Sequence, residues 1–258
     1  MHLLNKYFIL FIFLLPACLP RPKPLWIEPV CYSTSQEIAT MKTLFIKGKM
    51  KVGSFGCGLS GDLYLIATTP GPPATARHER AGKLRADVIN PFGPLFSLTI
   101  TEGRFALVIY PKGEVYLGNT EKFSTHLPRL SIGGQVNLRG LIYLLGQQMW
   151  PVHTEHIVYA SNKKDAYYIR SFNYPTLEEL WLRKDNLRIK KIKIKNQAKK
   201  KVFEAHFFYK NGKVELLKIH IGRIKIELTY LTINQNIEIK DSSFKLKYPE
   251  GVKKRYID

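Results

Sequence analysis

Between residues 84 and 117 the chain alternates apolar and polar residues in short runs, and each run ends where a strand cannot continue. Leu84-Arg85-Ala86-Asp87-Val88-Ile89 meets Asn90-Pro91-Phe92-Gly93-Pro94, where two prolines lack amide donors and a glycine tolerates positive φ. Phe96, Leu98 and Ile100 then recur with period two, Glu102-Gly103 interrupts them, and Phe105, Leu107 and Ile109 resume before Pro111-Lys112-Gly113. Period two places such residues on one face of a pleated strand. The stretch therefore predicts an antiparallel three-strand meander, with Ser97, Thr99 and Thr101 on a solvated face and the apolar set on a covered one.

Similar patterns surround this meander. Residues 33–47 are predicted as a helix: Thr34 and Glu37 match a capping box, Ile38, Met41, Leu44 and Phe45 share a face, and Gly48 closes the end. Strands are expected at 49–58 and 62–68, with a polar loop at 70–80. Downstream, Asn137 caps a helix at 138–145 whose Leu138, Leu141, Ile142 and Leu145 form a stripe ended by Gly146, placed to cover the open sheet face. Further strands are expected at 157–160 and 166–172. A hairpin around Asp185-Asn186 needs a bulge at Lys190-Lys191 to keep Leu187, Ile189, Ile192 and Ile194 on one face. Asn211-Gly212 suits a type I′ turn between 202–209 and 214–221. Ile224, Ile226, Leu228 and Tyr230 alternate, and Ile237, Ile239, Phe244, Leu246 and Tyr248 continue the pattern to the end. The expected fold is mainly β with a few helices: one large, strongly curved antiparallel sheet with short helices on its concave side.

The first residues read differently. Lys6 precedes an apolar run, 7–15, too short to span a bilayer, and the run ends in Leu15-Pro16-Ala17-Cys18. A leucine three residues before a cysteine and a small residue just before it resemble the bacterial lipobox, with Cys18 as the lipidated first residue of the mature chain; an ordinary signal peptide or a membrane anchor is the alternative. Pro20, Pro22, Pro24 and Pro29 favour extended chain. The expected organisation is a signal peptide at 1–17, a lipidated Pro-rich tether at 18–32 and one β domain at 33–258. Leu19 after the cysteine resembles the sorting signal that releases lipoproteins to the outer membrane, which places the protein on the periplasmic face of that membrane.

Of the chain's net charge of +20, the part from Arg183 onward carries +13, with 21 Lys and Arg against eight Asp and Glu. In a cytosolic protein such basic strands with interleaved aromatics suggest nucleic acid. An exported chain meets anionic phospholipid or lipopolysaccharide instead, so an anionic membrane surface is the expected partner and nucleic acid is not. The bland alternative is a solvated face with edge-protecting lysines.

Catalytic signals are weak. His153 and His156 flank Glu155 without forming His-Glu-x-x-His, so the pair reads as polar surface rather than a metal site. A two-residue Asn211-Gly212 loop would set His206 beside Leu217 and His220 beside Phe203. No Gly-x-Ser-x-Gly elbow, nucleotide loop or Cys-x-x-Cys pair is present, so no enzyme, cofactor or metal is expected. Cys31 and Cys57 either bridge in an oxidising compartment or remain free thiols.

Asn90-Pro91-Phe92-Gly93 between a strand and the run 95–100, with a lipobox before it and the leucine-rich helix 138–146 after it, resembles the LolB-like receptor family of outer-membrane lipoprotein localisation. The resemblance covers residues 47–146. It implies an incomplete antiparallel β-barrel closed by helices, whose apolar cavity accepts lipid or lipoprotein acyl chains. By that resemblance Phe92, where the receptors carry leucine, and Leu95 would touch the membrane. The cavity would be lined by Phe96, Leu98, Ile100, Phe105, Leu107, Ile109, Leu141 and Leu145. The covalent lipid on Cys18 would be diacylglycerol plus an N-acyl chain such as palmitate, and a periplasmic lipoprotein carrier would be a partner. A structural or assembly lipoprotein using the same sheet as a scaffold is the alternative reading.

Overall fold

Fourteen strands form a single sheet in the order β14-β6-β5-β4-β3-β2-β1-β13-β12-β11-β10-β9-β8-β7. The computed structural model describes residues 24–28, 41–54, 57–69, 82–101, 103–119, 138–147, 154–173, 176–196, 198, 200–246 and 248–257. The sheet is strongly curved and open, an incomplete barrel. Its centre is β1 (Thr43–Ser54), which pairs with β2 (Cys57–Thr68) on one side and with β13 (Ile224–Gln235) on the other.

The helix predicted over 33–47 ends differently: 33–40 lie outside the described residues, and Thr43–Lys47 belong to β1. Leu44 and Ile46 are fully buried on the inner face, while Phe45 and Lys47 alternate to the other. That stretch satisfies a helical face and a strand face equally, and two flanking partners decide for the strand because they pair its backbone along both edges. Gly48 lies at a bulge, where a Cβ would stand 2.5 Å from the Thr229 carbonyl oxygen. It brings strands together rather than closing a helix.

The three-strand meander is present as β3 (Lys83–Asn90), β4 (Gly93–Thr101) and β5 (Arg104–Ile109), and a fourth strand beyond the three expected, β6 (Glu114–Asn119), extends it. Phe96, Leu98 and Ile100 stand opposite Val88, Ala86 and Leu84 on β3 and opposite Ile109, Leu107 and Phe105 on β5. The polar side is not solvated, however. Ser97 is 3% exposed and Thr99 5%, because a strap formed by residues 241–246 crosses the outer face. Arg85 donates to the carbonyl oxygens of Ser243 and Lys245, Lys83 pairs with Asp241, and Phe244 is buried. Ile237, Ile239, Phe244, Leu246 and Tyr248, expected to continue the strand pattern, belong to no strand, and the strap holds a 3-10 turn at Asp241–Phe244. Beyond it, β14 (Lys253–Ile257) adds to β6 in parallel, the one parallel pairing among the described strands. A Cβ at Gly118 would stand 2.6 Å from the Ile257 carbonyl oxygen, so the glycine admits that strand.

The other half comprises β7 (Ile157–Asn162), β8 (Ala166–Asn173), β9 (Thr176–Arg183), β10 (Ile189–Lys195), β11 (Lys201–Lys210) and β12 (Lys213–Ile221). The bulge predicted in β10 lies between Ile189 and Lys191, and it keeps Ile189, Ile192 and Ile194 buried together. Leu187 is not part of the strand; at φ 56° it belongs to the turn. Asn211 and Gly212 both take positive φ, as a type I′ turn requires. A bulge at Phe208/Tyr209 then shifts the register by one, so His206 faces Lys218 and His220 faces Glu204, not Leu217 and Phe203.

Helix α1 (Leu138–Gln147) covers the inner face over β1 and β13. Ile142, Tyr143, Leu144 and Leu145 are buried. Two side chains finish its C-terminus: Tyr230 Oη donates to the Leu145 carbonyl at 3.2 Å and Gln235 Nε2 to the Gly146 carbonyl at 2.8 Å. Gly146, expected to end the helix, lies within it, where a Cβ would press Leu44 and Met41 at 2.8–3.0 Å. The segment read as a tether packs too: Ile27 is fully buried and the Trp26 ring stacks on Tyr167 at 4.7 Å. Two apolar residues among the prolines supply burial that polyproline spacing alone does not reveal.

Because Phe244 anchors the strap, Phe244→Ala is expected to cost about 3–5 kcal/mol. Denaturant unfolding measures it; an unchanged midpoint would mean that the strap adds nothing to the domain.

Candidate functional site

The inner wall from β3 to β5 separates into two parts. Leu84, Ala86 and Val88 are buried, whereas Phe96, Leu98 and Ile100 are half-buried and touch the core from one side. Leu107 and Ile109 continue this half-covered strip, while Phe105 is buried at 3% exposure. On α1, Leu145 is buried in the core, and the Leu141 side chain lies outside the described ones. The sheet register thus gathers five of the eight proposed lining residues into one apolar strip that the domain covers only in part.

Sequence reasoning missed a polar group on the same inner face. Glu178 and Glu179 are consecutive in β9, so one must point inward. Glu179 points outward to Lys195 at 3.0 Å and Arg170 at 3.4 Å. Glu178 lies opposite Ile194, is 6% exposed, and accepts a 3.4 Å hydrogen bond from Ser171 Oγ. The adjacent glutamates were the available signal.

The β3–β4 turn is stiff. Asn90 Oδ1 accepts the Phe92 amide at 2.9 Å, Pro91 fixes φ before it, and Gly93 takes φ 132° after it. Phe92 is 97% exposed at the tip, so it is not folded over the sheet edge. Leu95 is packed into the core at 8% exposure and cannot reach a membrane without leaving it. Asp62 pairs with both Ile89 and Lys49, which places Phe92 at the same end of the sheet as the β1–β2 turn, where Leu59 is 55% exposed, and the Gly222-Arg223 turn.

The lysines of β10 and β11 form a network on the outer face. Glu204, 6% exposed, receives Lys191 and His206 at 2.9 Å, and also Lys193 and Lys201. Lys191 and Lys193 also lie over the Trp181 ring at 5.4 and 5.7 Å. Burial alone would raise the Glu204 carboxyl, but hydrogen bonds from Lys201, Lys191 and His206 outweigh it and hold the group far below the usual carboxylate range. Burial and the nearby Lys201 charge pull His220 down. Strand alternation reveals the lysines but not the carboxylate that gathers them. Among the described residues no group of His, Cys, Asp and Glu is arranged to hold a metal ion, and no helix is long and apolar enough to cross a membrane. His153, Cys18 and Cys31 lie outside the described residues, as does the Cys57 side chain.

A curved open sheet with a helix on its concave face defines a class of incomplete barrels, and this chain has the LolA/LolB-like form of it. It is similar to a DUF1329 family protein from Desulfovibrio piger, at 12% identity and TM-score 0.56 over 84% of this chain and 95% of that one. It is also similar to a domain ascribed to outer-membrane lipoprotein sorting from Vibrio parahaemolyticus, at 8% identity and TM-score 0.52 over 82% and 94% of the two chains. No family model matches the sequence, and no curated protein matches it.

The depressed Glu204 carboxyl makes stability pH-dependent. Its contribution is complete above the unfolded value of 4.5 and is lost as pH falls toward the folded one. Melting temperature is therefore expected to drop below pH 4.5, and Glu204→Gln should lower it at neutral pH while flattening that acid limb. Parallel acid limbs in parent and variant would assign the loss to other carboxylates.

Proposed function

We propose that this protein is an envelope lipoprotein, anchored through lipidated Cys18, that shelters acyl chains of lipids or lipoproteins against its concave wall. The carrying observation is the half-covered strip Phe96, Leu98, Ile100, Leu107 and Ile109 on the inner side of a LolA/LolB-like sheet. Apolar surface that a domain covers only in part is where ligand grooves form. The similarity in fold to a domain ascribed to outer-membrane lipoprotein sorting supports the same reading. Clients would arrive from a periplasmic lipoprotein carrier, and delivery would require no bond-breaking chemistry. The working place is the periplasmic face of the outer membrane.

Membrane contact falls to Phe92. Lysines and arginines occur at both ends of the sheet, so charge alone selects neither; the exposed Phe92 and Leu59 select theirs. Lys51, Lys112 and Arg223 near those turns would hold the anionic surface. The scaffold reading draws on one observation: α1 and Ile27 fill the middle of the concave face, leaving Leu44, Ile46 and Leu144 fully buried.

Mass spectrometry of the exported Cys18→Ser chain separates the two readings, since no anchor then contributes lipid. Bound or exchangeable acyl chains are expected; a lipid-free chain that takes up no fatty acid supports the scaffold. In the same background, Phe92→Glu should abolish binding to anionic liposomes while shifting stability by less than about 0.5 kcal/mol, as for other exposed sites. Full binding by that variant removes Phe92 from the membrane contact.

A further inference from the structure

The strap leaves a cleft on the outer face of the meander, opposite to the acyl wall. Its volume is about 890 Å³, within the size range of small-molecule sites. Thr99 lines it from the sheet, Lys245 from the strap, and Tyr248 and Tyr256 from the chain beyond the strap. Three cations, Lys83, Arg104 and Lys245, line the cleft against one carboxylate, Asp241. Lys83 is matched with Asp241 at 2.9 Å. Among the described residues, neither Arg104 nor Lys245 has a carboxylate within ion-pair distance of its side chain.

The cleft also contains an unsatisfied polar atom. Thr99 is 5% exposed, and its Oγ1 has no hydrogen-bond partner. Buried hydroxyls are nearly always paired, and an orphan is destabilising. Threonine carries hydroxyl and methyl on one carbon, so a single step about χ1 exchanges them and turns the hydroxyl toward a ligand. A guanidinium fork, an ammonium point charge and a hydroxyl donor are the groups that recognise phosphate. The tyrosines and Asn119 suit a hydroxyl-rich body attached to it.

We infer that this cleft is a second binding site, taking a phosphate monoester on a sugar-sized body through Arg104, Lys245 and Thr99. The contacts Arg104, Lys245 and Thr99 are separate from the acyl strip: Thr99 and Arg104 sit on the outer face of the sheet, and among the cleft's lining Phe105 belongs to the inner row.

Calorimetric titration of the detergent-solubilised mature chain with glucose 1-phosphate tests it, with glucose as the neutral control. Saturable binding of the phosphate ester, weakened by salt, is expected, with at least a tenfold preference over glucose. Arg104→Gln and Lys245→Gln should each weaken it at least fivefold without lowering the melting temperature, since both side chains are exposed. Thr99→Val should weaken binding while leaving the melting temperature equal or higher, which a purely structural role would not produce. Vesicles containing phosphatidic acid distinguish a lipid headgroup from a free sugar phosphate: vesicle binding lost in the Arg104→Gln, Lys245→Gln double variant assigns the phosphate to lipid. Equal binding of glucose, or phosphate binding that the double variant retains, overturns the inference. So does a failure of glucose 1-phosphate to bind when vesicle binding is absent or survives in the double variant. Loss of acyl binding in the separate lipid assay would leave it standing.

Discussion

A sheet with one continuous apolar face must have that face covered, and the rest of this structure follows from how the covering is shared. Strands β1 and β13 meet across most of the chain's length and bring Leu44, Ile46, Leu228 and Tyr230 onto one inner surface. Alone, such a surface would expose side chains worth about 1.5–3 kcal/mol each when buried. Helix α1 covers the middle, and its last carbonyls are tied to the sheet by Tyr230 and Gln235. Toward β8, Trp26 and Ile27 contribute. Toward β5 the coverage thins and the apolar strip is half-buried. The inner face thus grades from a dry core to a partly open wall within one domain.

The outer face follows different physics. Lysines on alternate positions of β10, with Lys201 at the start of β11, repel one another, and the buried Glu204 offsets that repulsion by accepting several of them at once. Glu179 does the same between Lys195 and Arg170. Removing one such carboxylate would leave a cluster of like charges, so these groups are destabilising when absent rather than strongly stabilising when present. The basic surface is consequently an array of cations with carboxylates set into it.

Over the meander the outer face is covered by the strap. The strap converts Ser97 and Thr99 from expected solvent-facing residues into buried ones, and it carries the chain from the end of β13 to the far edge strand. One consequence is an edge β6 shielded by β14. Another is a cleft whose cations and orphan hydroxyl the domain's own packing does not use.

The amino-acid sequence by itself determined the local elements: the meander, the Asn211-Gly212 hairpin, the β10 bulge and the proline-stiffened Phe92 turn, because alternation and turn chemistry act within a few residues. The inward grouping of Phe96, Leu98 and Ile100 with Leu107 and Ile109 was equally legible, since period two fixes which side chains share a face. Only the tertiary structure decided that Thr43–Lys47 is strand, that Gly146 lies inside its helix, that Leu95 is core, and that residues 241–246 form a strap. Each of these depends on a partner far away in the chain. Segments compatible with two local conformations take the one whose backbone and apolar side chains the rest of the fold can satisfy.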